Sequence, residues 1–425
     1  MRHWNAASRH CPNEYQMHET ILKAVSNTSI PQGSPCTHCG ACLAVCPVYD
    51  ILRTECFSPR GRSHLLTEIE AERLPLNTGG RFFEAMDACL QCGACSASCK
   101  AGEDTAARVL QARTRFKELH TIPKWAWHLL ENRRLLDWTL PILSLVPQNS
   151  GLLLRLLGLF RHERDALRLR IKPAFKTAID TITLKNSCKI CKSSASLAGL
   201  RIAFFIGCVQ NYIYSRVAEA IAAMPGASLC IPKDQGCCGM PAWTNGRPDT
   251  AKELALKNIT ALRKAEPDIV LTGCASCADM MRNHWPSLTG SKGIGRVMEL
   301  SQFLVEYGIV PALAPKYKDM PLYAHIPCHQ RYGLKDTTSL PSLLSGLTNG
   351  KTQVTQGCCG GGGLFGVKHT ELSASILQKQ LQGILSGNKG ACVVTTCSGC
   401  LLQWRELSKA MGMPIEAVHL AELFL

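Results

Sequence analysis

Eight of the 24 cysteines stand in two tandem runs, Cys36-x-x-Cys39-x-x-Cys42-x-x-x-Cys46 and Cys89-x-x-Cys92-x-x-Cys95-x-x-x-Cys99. Three thiolates at two successive three-residue steps can hold three corners of an iron–sulfur cubane from one tight loop, while a fourth approaches from elsewhere. In bacterial runs of this kind the fourth cysteine serves the other cluster. On that pattern one [4Fe–4S] cubane takes Cys36, Cys39, Cys42 and Cys99, and the second takes Cys89, Cys92, Cys95 and Cys46. Structural zinc prefers two separated pairs that close a tetrahedron, which fits this spacing poorly. Pro47 follows the first run, and Lys100 stands at the matching place after the second without removing a ligand. Gly40 and Gly93 let the backbone come close to the sulfides, whose charge accepts N–H hydrogen bonds.

Ten further cysteines form a duplication. In the first copy Ile202–Ile206 leads into Cys208, the pair Cys237–Cys238 precedes Gly239, and Ile269–Leu271 leads into Cys274-x-x-Cys277. In the second, Leu322–Ile326 leads into Cys328, Cys358–Cys359 precedes Gly360, and Cys392–Thr395 leads into Cys397-x-x-Cys400. The offsets between copies are 120, 121 and 123 residues, which composition alone does not produce. Adjacent cysteines suit a distorted or bridged cluster; buried packing thiols or zinc are the alternatives.

The pattern of one cysteine, Cys-Cys-Gly and Cys-x-x-Cys resembles the cysteine-rich domain shared by heterodisulfide reductase subunits and glycolate oxidase iron–sulfur subunits. The resemblance implies one or two non-cubane [4Fe–4S] clusters, held by Cys208, Cys237, Cys238, Cys274 and Cys277 and by Cys328, Cys358, Cys359, Cys397 and Cys400. Two cubane motifs followed by two such domains look most like the glycolate oxidase iron–sulfur subunit family. Pro59-Arg60-Gly61-Arg62, Gly207-Cys208-Val209-Gln210 and Gly399-Cys400-Leu401-Leu402-Gln403 support this. It implies an electron-transfer subunit of a flavin-linked D-2-hydroxy acid dehydrogenase, acting on glycolate or D-lactate. Electrons would come from a separate FAD-containing subunit and pass to a membrane quinone pool or another membrane redox partner. No flavin or nicotinamide fingerprint occurs in this chain, so it is expected to relay electrons rather than oxidise the substrate. The alternative implied by the intact five-cysteine sets is a heterodisulfide-reductase-like catalytic subunit that reduces a disulfide at a non-cubane cluster.

The elements that must position these thiols follow from hydropathy. Short β-branched runs before Cys208, Cys274, Cys328 and Cys397 predict buried strands, and Thr250–Lys264 and Thr370–Ser386 have helical periodicity. Strands alternating with helices predict a layered α/β fold with cysteines gathered at the carboxyl edge of a sheet. The expected organisation is a polar leader (1–30), an α+β two-cubane ferredoxin-like domain of the alpha-helical ferredoxin type (31–120), a helical basic and apolar connector (121–199), and a duplicated α/β cysteine-rich domain (200–312 and 313–425).

The formal charge is +15, and residues 101–200 hold seventeen Lys and Arg against eight Asp and Glu. No finger, helix-turn-helix or RNA-binding motif accompanies the charge, so no nucleic-acid partner is expected. Residues 1–30 lack an apolar run of signal-peptide length, which predicts a reducing cytosol where disulfides are rare. Trp125, Trp127, Trp138 and Leu152–Phe160, followed by Arg161, Arg164, Arg168 and Arg170, read as a face for a partner subunit or a membrane surface. A peripheral place on the inner face of the cell membrane is the corresponding expectation. Gly361–Gly366 matches a nucleotide-loop pattern formally but reads as loop permissiveness. Cys188 and Cys191 read as an idle pair, and Cys11, Cys56, Cys230 and Cys392 as packing residues. His325 and His329, flanking Cys328, read as hydrogen-bonded structural histidines.

Overall fold

The computed structural model describes residues 36–74, 80–116, 119, 122–145, 177–185, 197, 199–224, 229–291, 294–355, 357–385 and 390–425. The expected leader, Cys11, the Cys188–Cys191 pair and the Leu152–Arg170 stretch lie outside them.

The apolar runs ahead of the duplicated cysteines form strands. The first repeat holds β1 (Ile202–Phe205), β2 (Leu229–Cys230), β3 (Ile269–Thr272) and β4 (Arg296–Glu299), in the order β2-β1-β3-β4. The second holds β5 (Leu322–His325), β6 (Gln353–Val354), β7 (Ala391–Thr395) and β8 (Ile415–His419), in the order β6-β5-β7-β8. Every pairing is parallel. The central strands β1, β3, β5 and β7 are buried along their whole length, which is why they read as continuous apolar runs rather than alternating ones. Helices Pro248–Arg263 and Thr370–Leu385 run between the strands and match the expected periodicity. One hydrophobic core spans both repeats, from Phe204 and Trp285 in the first to Leu401 and Trp404 in the second.

The region of the tandem cysteine runs is helical. Its elements are Ala41–Val45, Pro47–Leu52, Pro59–Glu70, Gly80–Asp87, Ala94–Ser98 and Thr105–Arg115, with one 3-10 turn at Glu55–Phe57. No strand occurs there among the described residues, so the α+β expectation is corrected to helices alone in this region. The reason is local. Each Cys-x-x-Cys-Gly-x-Cys loop closes through a left-handed glycine, Gly40 (φ 82°) or Gly93 (φ 77°), and goes straight into a short helix. The two short helices that follow pack against each other.

In the connector, helices Lys124–Glu131 and Arg133–Leu145 pack together. Trp127 is buried in the core of the repeats, whereas Trp125 and Trp138 are exposed. Of the three tryptophans expected on one interaction face, Trp127 is spent on internal packing.

Buried Arg113 fastens the helical region to the first repeat. Its guanidinium donates to the carbonyls of Met86 (2.9 Å), Asp87 (2.9 Å), Cys89 (2.6 Å) and Thr244 (2.6 Å). Gly246, at φ +71°, is in contact with the same residue: a Cβ there would lie 2.5 Å from the Arg113 carbonyl oxygen. Arg113→Met should leave several buried carbonyls unpaired and lower the unfolding free energy by about 3 kcal/mol or more, measured by anaerobic urea unfolding of the iron-loaded protein.

Candidate metal centres

The first cysteine loop lies at the surface. Cys36, Cys39 and Cys42 face one another, so that a charge on either neighbour raises the Cys42 thiol, though burial raises it more. Cys39 is exposed, and the Ala41 N–H and the Thr37 hydroxyl pull its thiol below the usual value. Arg60 lies beside this loop, donating to the His38 carbonyl (3.1 Å) and to Glu55 (2.6 Å), and a surface pocket opens between His38, Glu55, Arg60 and His64. Cys99 ends the helix Ala94–Ser98, which packs on Ala41–Val45, and its Sγ accepts from the Glu103 N–H (3.3 Å).

The second loop is half-buried, and Cys46 from the first run, itself buried, lies against it. Cys46 lies within electrostatic reach of Cys89, and Cys92 and Cys95 each lie within reach of Cys46. Three thiols of the second run and one of the first thus lie near one another. Burial pushes the Cys95 thiol up to about 12 and raises Cys92 further. Two buried guanidiniums flank the group. Arg62 lies near Cys46 and donates to the carbonyls of Ala85 (2.7 Å) and Ala88 (2.9 Å), and Arg113 lies near Cys89.

The ten duplicated cysteines form one continuous row. Cys208 bonds Cys237, Cys237 bonds Cys238, Cys238 bonds Cys277 and Cys277 bonds Cys274. Cys274 then crosses to the other repeat and bonds Cys397. From there the order mirrors the first half: Cys400, Cys359 at 3.3 Å, Cys358 and Cys328. Reversal of the order about the Cys274–Cys397 contact shows an approximate two-fold relation between the repeats. A backbone bond from Ala275 N to Thr396 O (2.9 Å) and the Ser276 Oγ···Cys397 Sγ contact (3.1 Å) reinforce the crossing. At its far end the row meets the second cysteine loop, since Cys328 and Cys358 both lie within electrostatic reach of Cys92.

The donor set fits iron–sulfur clusters. Backbone N–H groups aim at sulfur at several points: Gly360 at Cys358 (3.3 Å), Gly361 at Cys359 (3.4 Å) and Tyr49 at Cys46 (3.5 Å). Cys238, Cys274 and Cys358 are held below the usual thiol value because each accepts hydrogen bonds from thiols on both sides. Burial opposes ionisation along the whole row, so a bound cation is needed before the sulfurs can all become thiolates.

His325 donates or accepts at Thr355 Oγ1 (2.8 Å) through Nδ1, and burial lowers it to about 4. Its ring also comes within 4.8 Å of the Cys359 and Cys400 sulfurs. His329 Nδ1 meets Asp279 Oδ2 (2.7 Å), a carboxylate that Asn283 also holds (2.6 Å). Both histidines are therefore hydrogen-bonded, as their reading predicts. Cys392 is buried within β7 and Cys230 lies on β2, apart from the row. The Gly361–Gly366 run presses on the second cysteine loop: at Gly362 a Cβ would lie 2.5 Å from the Leu90 side chain. Beside the same loop, Asp87 is held by Lys368 and by His369 (3.1 Å), which carry it down to about 2 despite burial. Arg113, Asp279, Lys368 and His369 carry no local spacing signal, because each works across a long stretch of chain.

The family model for a 4Fe-4S dicluster domain matches residues 32–123, and that for a cysteine-rich domain matches 202–282 and 322–405. A "Probable glycolate oxidase iron-sulfur subunit" of Bacillus subtilis is 25% identical over 419 residues, covering 92% of this chain and 93% of that one. The chain thus carries a 4Fe-4S dicluster domain followed by two cysteine-rich domains, and over nearly its whole length it is similar to a protein named as a glycolate oxidase iron–sulfur subunit. A "Lactate utilization protein A" of an Exiguobacterium species is 27% identical over 238 residues, covering 52% of this chain and 96% of that one. An uncharacterized iron–sulfur protein of Methanocaldococcus jannaschii is 30% identical over 216 residues, covering 49% of this chain and 42% of that one. The dicluster match holds both cysteine loops, and each cysteine-rich match holds one complete five-thiol set.

Proposed function

We propose that this chain is the iron–sulfur electron-transfer subunit of a flavin-linked D-2-hydroxy acid dehydrogenase of the glycolate or D-lactate type. The observation that carries the reading is the unbroken succession of sulfur sites. Cys46 of the first run lies against the half-buried Cys89–Cys95 loop, and Cys92 of that loop lies within electrostatic reach of Cys328 and Cys358 at the end of the ten-thiol row. When bound, the clusters supply one-electron carriers. The chain's own residues space them, exclude water and compensate charge. Cys36, Cys39, Cys42 and Cys99 would hold one cubane and Cys89, Cys92, Cys95 and Cys46 the other, and each five-thiol set would hold a further cluster. Arg62 and Arg113 offset charge at the second cubane, and the exposed Cys39 loop makes the first the port for a partner. That partner would be an FAD-containing subunit, with a membrane quinone or other membrane carrier beyond. Exposed Trp125 and Trp138 support a peripheral seat on the inner face of the membrane. Among the described residues no helix is long and apolar enough to cross it.

A second reading, disulfide reduction between the repeats, is favoured by the completeness of both thiol sets on either side of the Cys274–Cys397 contact. One anaerobic experiment separates the two. Mixed with its flavoprotein partner, the iron-loaded chain should be bleached in the visible range on addition of glycolate or D-lactate. Bleaching only by a strong reductant, followed by reoxidation with a disulfide, would favour the second reading.

The ligand sets make their own prediction. Cys46→Ser combined with Cys92→Ser should lose no more iron than either change alone, because both belong to one cubane. Cys46→Ser combined with Cys42→Ser should lose about twice as much. Iron and sulfide analysis checks this, and equal losses in the two double variants would refute the exchanged sets.

A further inference from the structure

Glu299 ends β4 and is fully buried. Its Oε2 accepts from the Ser301 N–H (2.9 Å) and from the Ser301 hydroxyl (2.5 Å), while Oε1 finds no hydrogen-bond partner. Capping the helix Leu300–Glu306 accounts for Oε2 only. A cap does not require a buried acid here. At the matching end of β8, His419 caps its helix by accepting from Ala421 N (3.1 Å) and donates through Nε2 to the Gly273 carbonyl (2.6 Å). That position is fully paired without a charge, whereas at Glu299 the Gln302 N–H also bears on the carboxyl but Oε1 is left without a well-formed hydrogen bond.

Among the described residues no cation bears on Glu299. The elements packed against it are β3, the helix Ala275–Asp279, its own helix and the helix Ser339–Leu347. Their ionisable groups are Cys277, Asp279 held by His329, and Glu306 held by Arg296 on the exposed end of β4; Asp336 precedes the last helix. The other buried carboxyls are better satisfied. Glu103 has Arg108 (3.0 Å), and Asp336 has the Thr338 and Ser339 N–H groups and Gln330. Burial therefore dominates at Glu299, and its carboxyl rises to about 8, with Asp336 adding to the rise.

Glu299 is also wired to the thiol row. Gln330 donates to Ser301 Oγ (3.0 Å) and accepts from Thr396 Oγ1 (3.0 Å). Gln330 is two residues past Cys328, and Thr396 immediately precedes Cys397. Thr272, register partner of Glu299 on β3, leads into Gly273 and Cys274. The carboxyl thus sits beside the crossing between repeats, within a low-dielectric interior where added negative charge is felt strongly.

We propose that Glu299 is a proton-binding site coupled to reduction of the centres held by the cysteine-rich repeats. The step balances: one electron arrives from the reduced flavoprotein, or from dithionite in the test, and one proton from solvent converts the Glu299 carboxylate to the acid. No net charge is then added to the interior. The inference rests on the reading that the ten thiols hold clusters. In the oxidised protein the acid already carries its proton below its raised pKa, so coupling opens only above it.

The test is a potentiometric titration of the iron-loaded full chain from pH 6 to 10, followed by EPR. The midpoint of a repeat-held centre should be flat at low pH and fall by about 59 mV per unit above pH about 8, a tenfold change per unit for one electron. Glu299→Gln should abolish the slope and remove a protonated-carboxyl band from the reduced-minus-oxidised infrared difference spectrum at pH 9. Ser301→Ala, which removes a bond to the carboxylate, should shift the break to higher pH. Equal slopes in wild type and Glu299→Gln would overturn the proposal while leaving the cluster reading intact. Failure of the wild-type chain to bind iron would overturn both.

Discussion

Sulfur buried without compensating charge is the constraint from which the arrangement of this chain follows. A thiolate in a low-dielectric interior is costly, and the row from Cys208 to Cys328 places ten sulfurs in succession inside one core. As thiols they satisfy one another in a relay of weak hydrogen bonds, with Cys238, Cys274 and Cys358 each accepting from both sides. As cluster ligands they would be neutralised by iron, with the N–H groups of the glycines that follow the cysteine pairs aimed at the sulfurs. The parallel sheets serve this purpose. Each buried strand delivers a cysteine to its carboxyl edge, and the two edges face each other.

The helical cysteine-loop region is a continuation of the same construction. Its second loop is seated on the second repeat, where Cys46, Val48 and Leu90 pack with Phe365 and Ile376. This puts Cys92 beside Cys328 and Cys358, while the first loop stays at the surface. The consequence is directional: one end is open to a partner and the other is enclosed. Buried Arg62 and Arg113 supply positive charge where the loop is most deeply covered, and the same guanidiniums tie helix-end carbonyls together, so structure and charge compensation share residues.

Much of this was legible before any coordinates. Period, spacing and apolar runs identified both cysteine loops, both five-cysteine sets, the four buried strands and the two crossover helices, because those signals are local. The nearness of Cys46 to the second loop accords with the habit of bacterial runs to lend their fourth cysteine to the other cluster. The β component expected in the helical region failed because the glycine-closed loops pass directly into short helices, with no run long enough to pair. What the chain does not advertise is contact over distance. The Cys274–Cys397 crossing, the approach of Cys92 to Cys358, the Arg113 clamp and the Asp279–His329 pair all join segments that no local pattern relates. Trp127 reads like its exposed neighbours in composition, and only packing distinguishes it. No local pattern marks Glu299 either; its burial and its unmatched oxygen are set by the fold.

The central claim is that the second cysteine loop and the second repeat form adjoining redox centres in one succession. Magnetic interaction between reduced centres tests it most directly. EPR of the anaerobically prepared, iron-loaded and fully reduced chain should show split or broadened signals from coupled spins. Cys328→Ser should collapse these to the spectrum of isolated cubanes. Uncoupled signals unchanged by Cys328→Ser, or a colourless protein without iron, would contradict the account.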